Sequence, residues 1–190
     1  MKTSIIIYLI GFCCIGCNRS SVEPVPNQVP ALNTAAYKWG EVYSLAESYR
    51  KGLQLISVWS QDVHLDGTSG IWNYTYSDSL FPPTSYCFHS TSGIVKFDST
   101  CPTGTGAGFI SNNWINSDLV LFIAEQNGGT QFRTQNPHYT IAASVGIPVV
   151  PNPKTCWYIT YRSIDNNAKS SMLTIDANTS FFCVPMLCLS

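Results

Sequence analysis

Three side chains at alternate positions are the first candidates for chemistry in this chain. Asp62, His64 and Asp66 would emerge on one face of an extended segment, where carboxylates and an imidazole suit a metal ion. Continued to Asn73, the stretch imitates a calcium loop, but His64 replaces an Asp or Asn ligand and Asn73 replaces the bidentate Glu. We expect a polar strand end and an Asp66-Gly67 turn, with no cofactor. A metal-dependent binding module or hydrolase centred on the three residues is the alternative.

The beginning of the chain has the pattern of an export signal. Lys2 is the only charge before an apolar run from Ile5 to Ile15, which is too short to span a membrane. We therefore expect residues 1–16 to be a signal peptide.

Cys17 follows that segment, and Ile15-Gly16-Cys17 resembles the end of a bacterial lipobox. The resemblance implies cleavage before Cys17 and attachment of acyl chains such as palmitate, which would anchor the protein to a membrane of the bacterial cell envelope. The Ser, Pro and Asn content that follows predicts a flexible tether over residues 17–31. Ordinary signal-peptide cleavage without lipid is the alternative.

Five cysteines would remain after export and lipidation, and an oxidising compartment favours disulfides among them. An odd number most simply means two disulfides and one further thiol. Short separations favour two pairings among several, and the cysteines concerned are Cys87 with Cys101 and Cys183 with Cys188. Zinc is disfavoured because no two cysteines have CxxC spacing and His89 beside Cys87 has no second ligand pair to join.

The remaining cysteine, Cys156, is the candidate nucleophile of a thiol enzyme, with His64, His89 or His138 as its base. Nothing in the spacing links them, and Cys156 abuts Trp157 inside a predicted strand, where a cysteine is more often a core residue. The chain also contains no nucleophile elbow, phosphate-binding loop or dinucleotide fingerprint. We predict no catalytic residues and a protein that is not an enzyme.

Periodicity predicts two helices, each followed by strands. Apolar residues at steps of three and four predict a first helix from Asn33 or Thr34 towards Leu53. Ser117 is the expected cap of a second helix, with Gly128-Gly129 as its end. Alternating segments predict seven strands, which are LQLISVW, GIWNYTYS, TSYCFHS, GIVKFDS, YTIAASVGI, TCWYITYRS and SMLTIDA.

The two halves of the chain match one another, which indicates an internal repeat. The matched pairs are Ala46-Glu47 with Ala124-Glu125, Trp72 with Trp157, Thr75 with Thr160, Tyr76 with Tyr161, and Asp98 with Asp176. We expect an α+β fold of two helix-plus-antiparallel-sheet repeats, each helix packed on one face of its sheet. The repeats would span 32–108 and 109–180, with a C-terminal tail at 181–190.

The second repeat is similar to PepSY-type domains over Leu119 to Thr179. Its Ala-Glu helix, Trp-centred strand and final Ile175-Asp176-Ala177-Asn178-Thr179 carry the resemblance. The first repeat matches more loosely through Phe97-Asp98-Ser99. The resemblance implies a cystatin-like α+β envelope module that binds or restrains other proteins and has no catalytic residues to transfer.

Composition narrows the partners. A formal net charge of −1 and 11% charged residues provide no basic field for nucleic acid. The leading hypothesis is therefore a non-catalytic envelope lipoprotein that meets the membrane through its lipid. It would hold a protein or peptide partner by its polar sheet faces or by the aromatic loops around Phe81 and Tyr86.

Overall fold

A computed structural model describes residues 31–78, 84–98, 108–111, 113–148 and 154–179, and the backbone of 182–183. Predictions for residues 1–30, including the signal peptide and Cys17, lie outside them. The elements are α1 (Trp39–Tyr49), β1 (Gln54–Ser60), β2 (Ile71–Ser77), β3 (Ser85–Thr91), β4 (Ile94–Asp98), α2 (Ser117–Ala124), a π-type turn (Glu125–Gly129), α3 (Thr130–Gln135), β5 (Tyr139–Gly146), β6 (Cys156–Ser163), β7 (Ser170–Asp176) and β8 (Phe182–Cys183). No helix in this part of the chain is both long and apolar enough to cross a membrane.

The strands form one continuous antiparallel sheet in the order β4-β3-β2-β1-β5-β6-β7-β8. β1 and β5 pair at its centre, where Val58 lies opposite Val145, so the strands of the two halves of the chain share one sheet. The predicted α+β class with antiparallel strands is confirmed. All seven predicted strands coincide with β1 to β7, while β8 lies in the segment predicted as a tail.

Alternation along the strands divides the sheet into a buried face and an open face. α1 contacts β3 and β4, and α2 contacts β6 and β7. The largest side chains beneath these helices are less than 2% exposed and include Trp72, Tyr74, Tyr76, Phe88, Trp157, Ile159 and Tyr161. Burying several aromatic rings contributes about 2 kcal/mol or more for each side chain, so this face holds most of the hydrophobic stabilisation.

Two tryptophans sit at the middle of the buried face. The Trp72 indole nitrogen donates to the Asn33 carbonyl oxygen at 2.9 Å, and that of Trp157 donates to the Ile115 carbonyl oxygen at the same distance. The two rings meet edge to face with centroids 6.2 Å apart. Each tryptophan therefore ties the segment that enters its helix to the sheet, and their mutual contact joins the two halves.

The strand starts repeat at a constant interval. Gln54, Ile71 and Ser85 open β1, β2 and β3, and positions 85 residues further on, 139, 156 and 170, open β5, β6 and β7. The matches of Trp72 with Trp157 and of Tyr76 with Tyr161 share this interval. The predicted match of Asp98 with Asp176 does not, because Asp98 ends β4 and Asp176 ends β7.

The predicted start of the first helix is wrong. Asn33 has a φ of 62°, outside the helical region, and the Thr34 hydroxyl donates to the Ala31 carbonyl oxygen instead of capping a helix. A series of turns follows, and α1 begins only at Trp39. The apolar spacing continued through the turns because Ala35 is also buried in the core.

The predicted limits of the second helix are also wrong. Asn116 is the N-cap, accepting from the Ser117 backbone N–H at 2.9 Å, and Ser117 is the first helical residue. The helical path does not stop at the two glycines, because Gly128 bends it at a φ of 123° and α3 follows. A Cβ on Gly129 would lie 2.7 Å from both Glu125 Oε1 and Tyr161 Cζ, so glycine allows this close approach to the sheet.

Candidate functional site

The Asp62, His64 and Asp66 segment is a turn and not an extended strand. The Gly67 backbone N–H donates to the His64 carbonyl oxygen at 2.9 Å, which closes the turn and ends the alternation of faces. Asp66 Oδ1 accepts from the Thr68 hydroxyl at 2.7 Å and from its backbone N–H at 3.0 Å, and these bonds lower the pKa of Asp66. The expected Asp66-Gly67 turn is confirmed.

A metal site does not form at this turn. Nowhere in the described ranges do three or more His, Cys, Asp or Glu side chains converge in a way that could hold a metal ion. The expectation that Asp62, His64 and Asp66 share one face is wrong, because the carboxylate of Asp66 turns towards Thr68. The arrangement stabilises a loop, as Asp residues before glycine commonly do.

Cys156 lies far from the three histidines proposed as its base. It is buried at the start of β6, opposite Gly146 and Asp176. His89 is on β3, and three strands separate β3 from β6, a distance of about 19 Å at the usual strand spacing. His138 precedes the opposite end of β5, and the His64 turn meets β5 near Ile141. The structure therefore brings no histidine to Cys156.

Cys87, on β3, is buried and disulfide-bonded. Cys101 and Cys188 lie outside the described residues, and Cys183 is described only as part of β8. The pairings of Cys87 with Cys101 and of Cys183 with Cys188 stay predictions. Phe81 also lies outside the described residues, whereas the Tyr86 hydroxyl accepts from Arg50 Nη1 at 3.1 Å.

A cluster of charged and aromatic side chains lies where the second half of the chain bends from α2 into α3. Glu125 Oε2 accepts from Arg133 Nε at 2.9 Å and from its Nη2, while Oε1 accepts from the Tyr161 hydroxyl at 2.8 Å. The Thr130 hydroxyl also donates to Oε2. The Arg133 guanidinium lies over the Tyr139 ring, 5.6 Å from its centroid. Glu125 and the two tyrosines thus form a cradle for one guanidinium group.

The hydrogen bonds in this cluster set the charge of Glu125. Burial alone would raise the pKa of Glu125, but the bonds from Arg133, Tyr161 and Thr130 outweigh it and lower the pKa below the ordinary value of 4.5. Burial and the hydrogen bond to Glu125 raise the pKa of the Tyr161 hydroxyl. Glu125 is therefore an anion and Tyr161 a neutral donor at neutral pH.

Replacing Glu125 by glutamine should remove an acid-sensitive part of the stability. Because the pKa of Glu125 is lower in the folded protein, its contribution is present above pH 4.5 and is lost as the pH falls through the folded-state value. We expect Glu125→Gln to cost about 2 kcal/mol at pH 7 and much less at pH 3. Urea unfolding at both pH values measures this, with the exposed Glu41→Gln as the control. An equal loss at both pH values would contradict it.

The first half has a pocket where the second half holds Arg133. It has a volume of about 400 Å³, and its lining includes Glu47, Gln54 and Tyr76. Gln54 and Tyr76 stand 85 residues before Tyr139 and Tyr161, the two aromatic members of the cluster. Glu47 is the predicted match of Glu125, and the alanine before each is buried. The other rings on the wall are Trp39, Tyr43 and Phe109.

The open face carries a row of polar and aromatic side chains. Across the sheet, the strand registers align Asn73, Trp59, Ser144 and Tyr158. These residues are half-buried, and together with Ala142, Thr160, Arg162 and Met172 they make up what we call the open face. Trp59, Ala142, Ser144, Tyr158 and Thr160 border a depression of about 240 Å³.

Sequence reasoning found part of these two sites. Glu47, Glu125, Tyr76 and Tyr161 were recognised as matched positions, but without a role. Arg133 was missed because it lies beyond Gly128-Gly129, which were taken as the end of the helix. The polar character of Thr160 and Arg162 did place them on the open face.

Comparison of the chain with models of known protein families, with characterised proteins and with solved structures gives no match.

Proposed function

We propose that this protein is a non-catalytic lipoprotein of the bacterial cell envelope that binds a protein or peptide partner through the open face of its sheet. The lipid on Cys17 would hold it at the membrane, with residues 17–31 as a tether. The single observation that carries the binding role is the open face, where Trp59 and Tyr158 border a depression among polar side chains.

The composition of the open face suits a protein surface better than a reaction centre. Aromatic rings and arginine are the residue types enriched where proteins meet, and the face includes Trp59, Tyr158 and Arg162. Met172 is 56% exposed and adds an adaptable apolar side chain. Such a surface can bury rings in a partner while serine, threonine and asparagine provide hydrogen bonds.

The two-repeat arrangement is part of this proposal. A shared interval of 85 residues for three strand pairs supports it, as does the strand order, which reads outward from the β1–β5 junction in the same way on both sides. A PepSY-like ancestry for residues 119–179 would fit a duplicated binding module. In that view the two halves supply one wide open face in place of two narrow ones.

Affinity capture from envelope membranes tests the binding role. The full chain, extracted in mild detergent, should retain a defined partner, and Thr160→Arg should abolish retention by placing a bulky charge in the depression on the open face. The matched control is Gln131→Arg, an exposed position on α3. Equal retention by both variants would overturn the assignment of the open face.

The anchor is tested separately by labelling cells with radioactive palmitate. The wild-type protein should carry the label and sediment with membranes, whereas Cys17→Ser should lose the label. Unchanged labelling of Cys17→Ser would contradict the anchor without affecting the assignment of the open face.

A further inference from the structure

The pocket beside α1 lies on the helix-covered side of the sheet, apart from the open face. Its wall combines one half-buried carboxylate, Glu47, with the rings of Trp39, Tyr43, Tyr76 and Phe109. Trp39 and Tyr43 have ring centroids 5.8 Å apart. Aromatic rings around a single carboxylate attract organic cations, because the ring faces are negative and the carboxylate supplies the opposite charge.

Two polar atoms in the pocket wall lack partners. The Tyr76 hydroxyl and the Trp39 indole nitrogen are buried, and within the described part of the chain neither makes a hydrogen bond. Tyr76 is only 1% exposed. An unsatisfied buried hydroxyl costs about 1 to 3 kcal/mol, so a ligand that supplies its missing bond would gain from doing so.

The second half of the chain shows what fits such a wall. There the counterparts Glu125, Tyr139 and Tyr161 hold the guanidinium of Arg133, which α3 carries. In the first half, α1 ends at Tyr49 and β1 begins at Gln54, so no counterpart of α3 fits between them. The space that α3 and Arg133 occupy in one half corresponds to an open pocket in the other.

We propose that this pocket binds a guanidinium group joined to a carbonyl, as in free arginine or an arginine residue of a peptide. Glu47 Oε1 accepts from the Gly52 backbone N–H at 3.0 Å, which fixes the carboxylate and leaves Oε2 for the cation. The Tyr76 hydroxyl can accept from a guanidinium N–H, and the Trp39 indole nitrogen can donate to the carbonyl oxygen of the ligand.

Calorimetric titration of the full chain in detergent tests this proposal, with N-acetyl-arginine methylamide as the probe. The citrulline analogue is the matched control, because it keeps the shape and lacks the charge. We expect it to bind about tenfold more weakly or worse. Free L-arginine is the second probe. Tighter binding of free arginine would point to a small molecule, and tighter binding of the blocked form to a peptide; either supports the proposal.

Variants assign the binding to the pocket. Glu47→Gln keeps an oxygen for the Gly52 N–H but removes the charge, and it should weaken the arginine probe by about tenfold or more. Tyr43→Ala, at a 42% exposed position, should also weaken binding while leaving the fold intact. Glu41→Gln, exposed on the same helix, should not. No heat with either arginine probe, equal binding of the citrulline analogue, or unchanged binding by Glu47→Gln and Tyr43→Ala would overturn the proposal, and the open face would be unaffected.

Discussion

Replacing Gly67 by alanine is expected to lower the free energy of unfolding by about 4 kcal/mol, the largest loss of any single methyl group added to this fold. Gly67 has a φ of 78°, and a Cβ there would lie 2.6 Å from the Ser117 carbonyl carbon and closer still to the backbone N and Cα of Asp118. Backbone atoms at the start of α2 cannot move aside as a flexible side chain could. Either the turn or the helix must shift.

A second glycine separates the two causes of this loss. Gly52 has nearly the same φ, 79°, but a Cβ there meets nothing within 4 Å. Gly52→Ala should therefore cost only the conformational strain, about 1 kcal/mol. Thermal unfolding should show a fall of about 10 °C for Gly67→Ala and a much smaller one for Gly52→Ala. Equal falls would mean that the contact with α2 does not matter.

Removing the Ser117 hydroxyl is expected to cost about 3 kcal/mol, because it leaves two buried groups without partners. Ser117 is fully buried, and its hydroxyl donates to the Gly67 carbonyl oxygen at 2.7 Å while accepting from the Ala35 backbone N–H at 3.0 Å. It therefore joins three segments: the turn after β1, the entry to α1 and the start of α2.

The exposed Ser44 offers a matched control for Ser117→Ala. Its hydroxyl donates to the Gly40 carbonyl oxygen at 2.9 Å on the outer surface of α1. Ser44→Ala should change the free energy of unfolding by less than about 0.5 kcal/mol. Urea unfolding of both variants measures the difference. A loss in Ser117→Ala no greater than that in Ser44→Ala would show that the bridge contributes little.

The sheet could be predicted from sequence because each strand alternates strictly between its two faces. Trp72, Tyr74 and Tyr76 lie under the helices, while Asn73 lies on the open face, as period-two patterning requires. The pairing of β1 with β5 could not be predicted, since alternation says which face a residue occupies and not which strand lies beside it.

The helix ends and the turn after β1 were missed for a common reason. Each is decided by tertiary hydrogen bonds and not by local pattern. Ser117 has the right chemistry for a cap, but Asn116 caps α2 while Ser117 bonds to Gly67 and Ala35. In the same way, Gly128 permits a bend that keeps α3 on the sheet, whereas a pair of glycines alone predicts a stop.

The candidate sites were only partly visible in the sequence. The matched pairs Glu47 with Glu125 and Tyr76 with Tyr161 were apparent, but their roles depend on what fills the space beside them. Arg133 fills it in one half and a pocket takes its place in the other. Such a difference is produced by one short helix, α3, whose position no periodicity reveals.

Site-specific photo-cross-linking in living cells tests most directly the claim that the open face binds a partner. A photoreactive residue placed at Arg162 or Met172, both exposed on the open face, should give one discrete cross-linked product with the anchored protein. The same residue at Phe122, 50% exposed on α2, should give none. Discrete products from Phe122 but not from Arg162 and Met172, or no product from any position, would contradict the account.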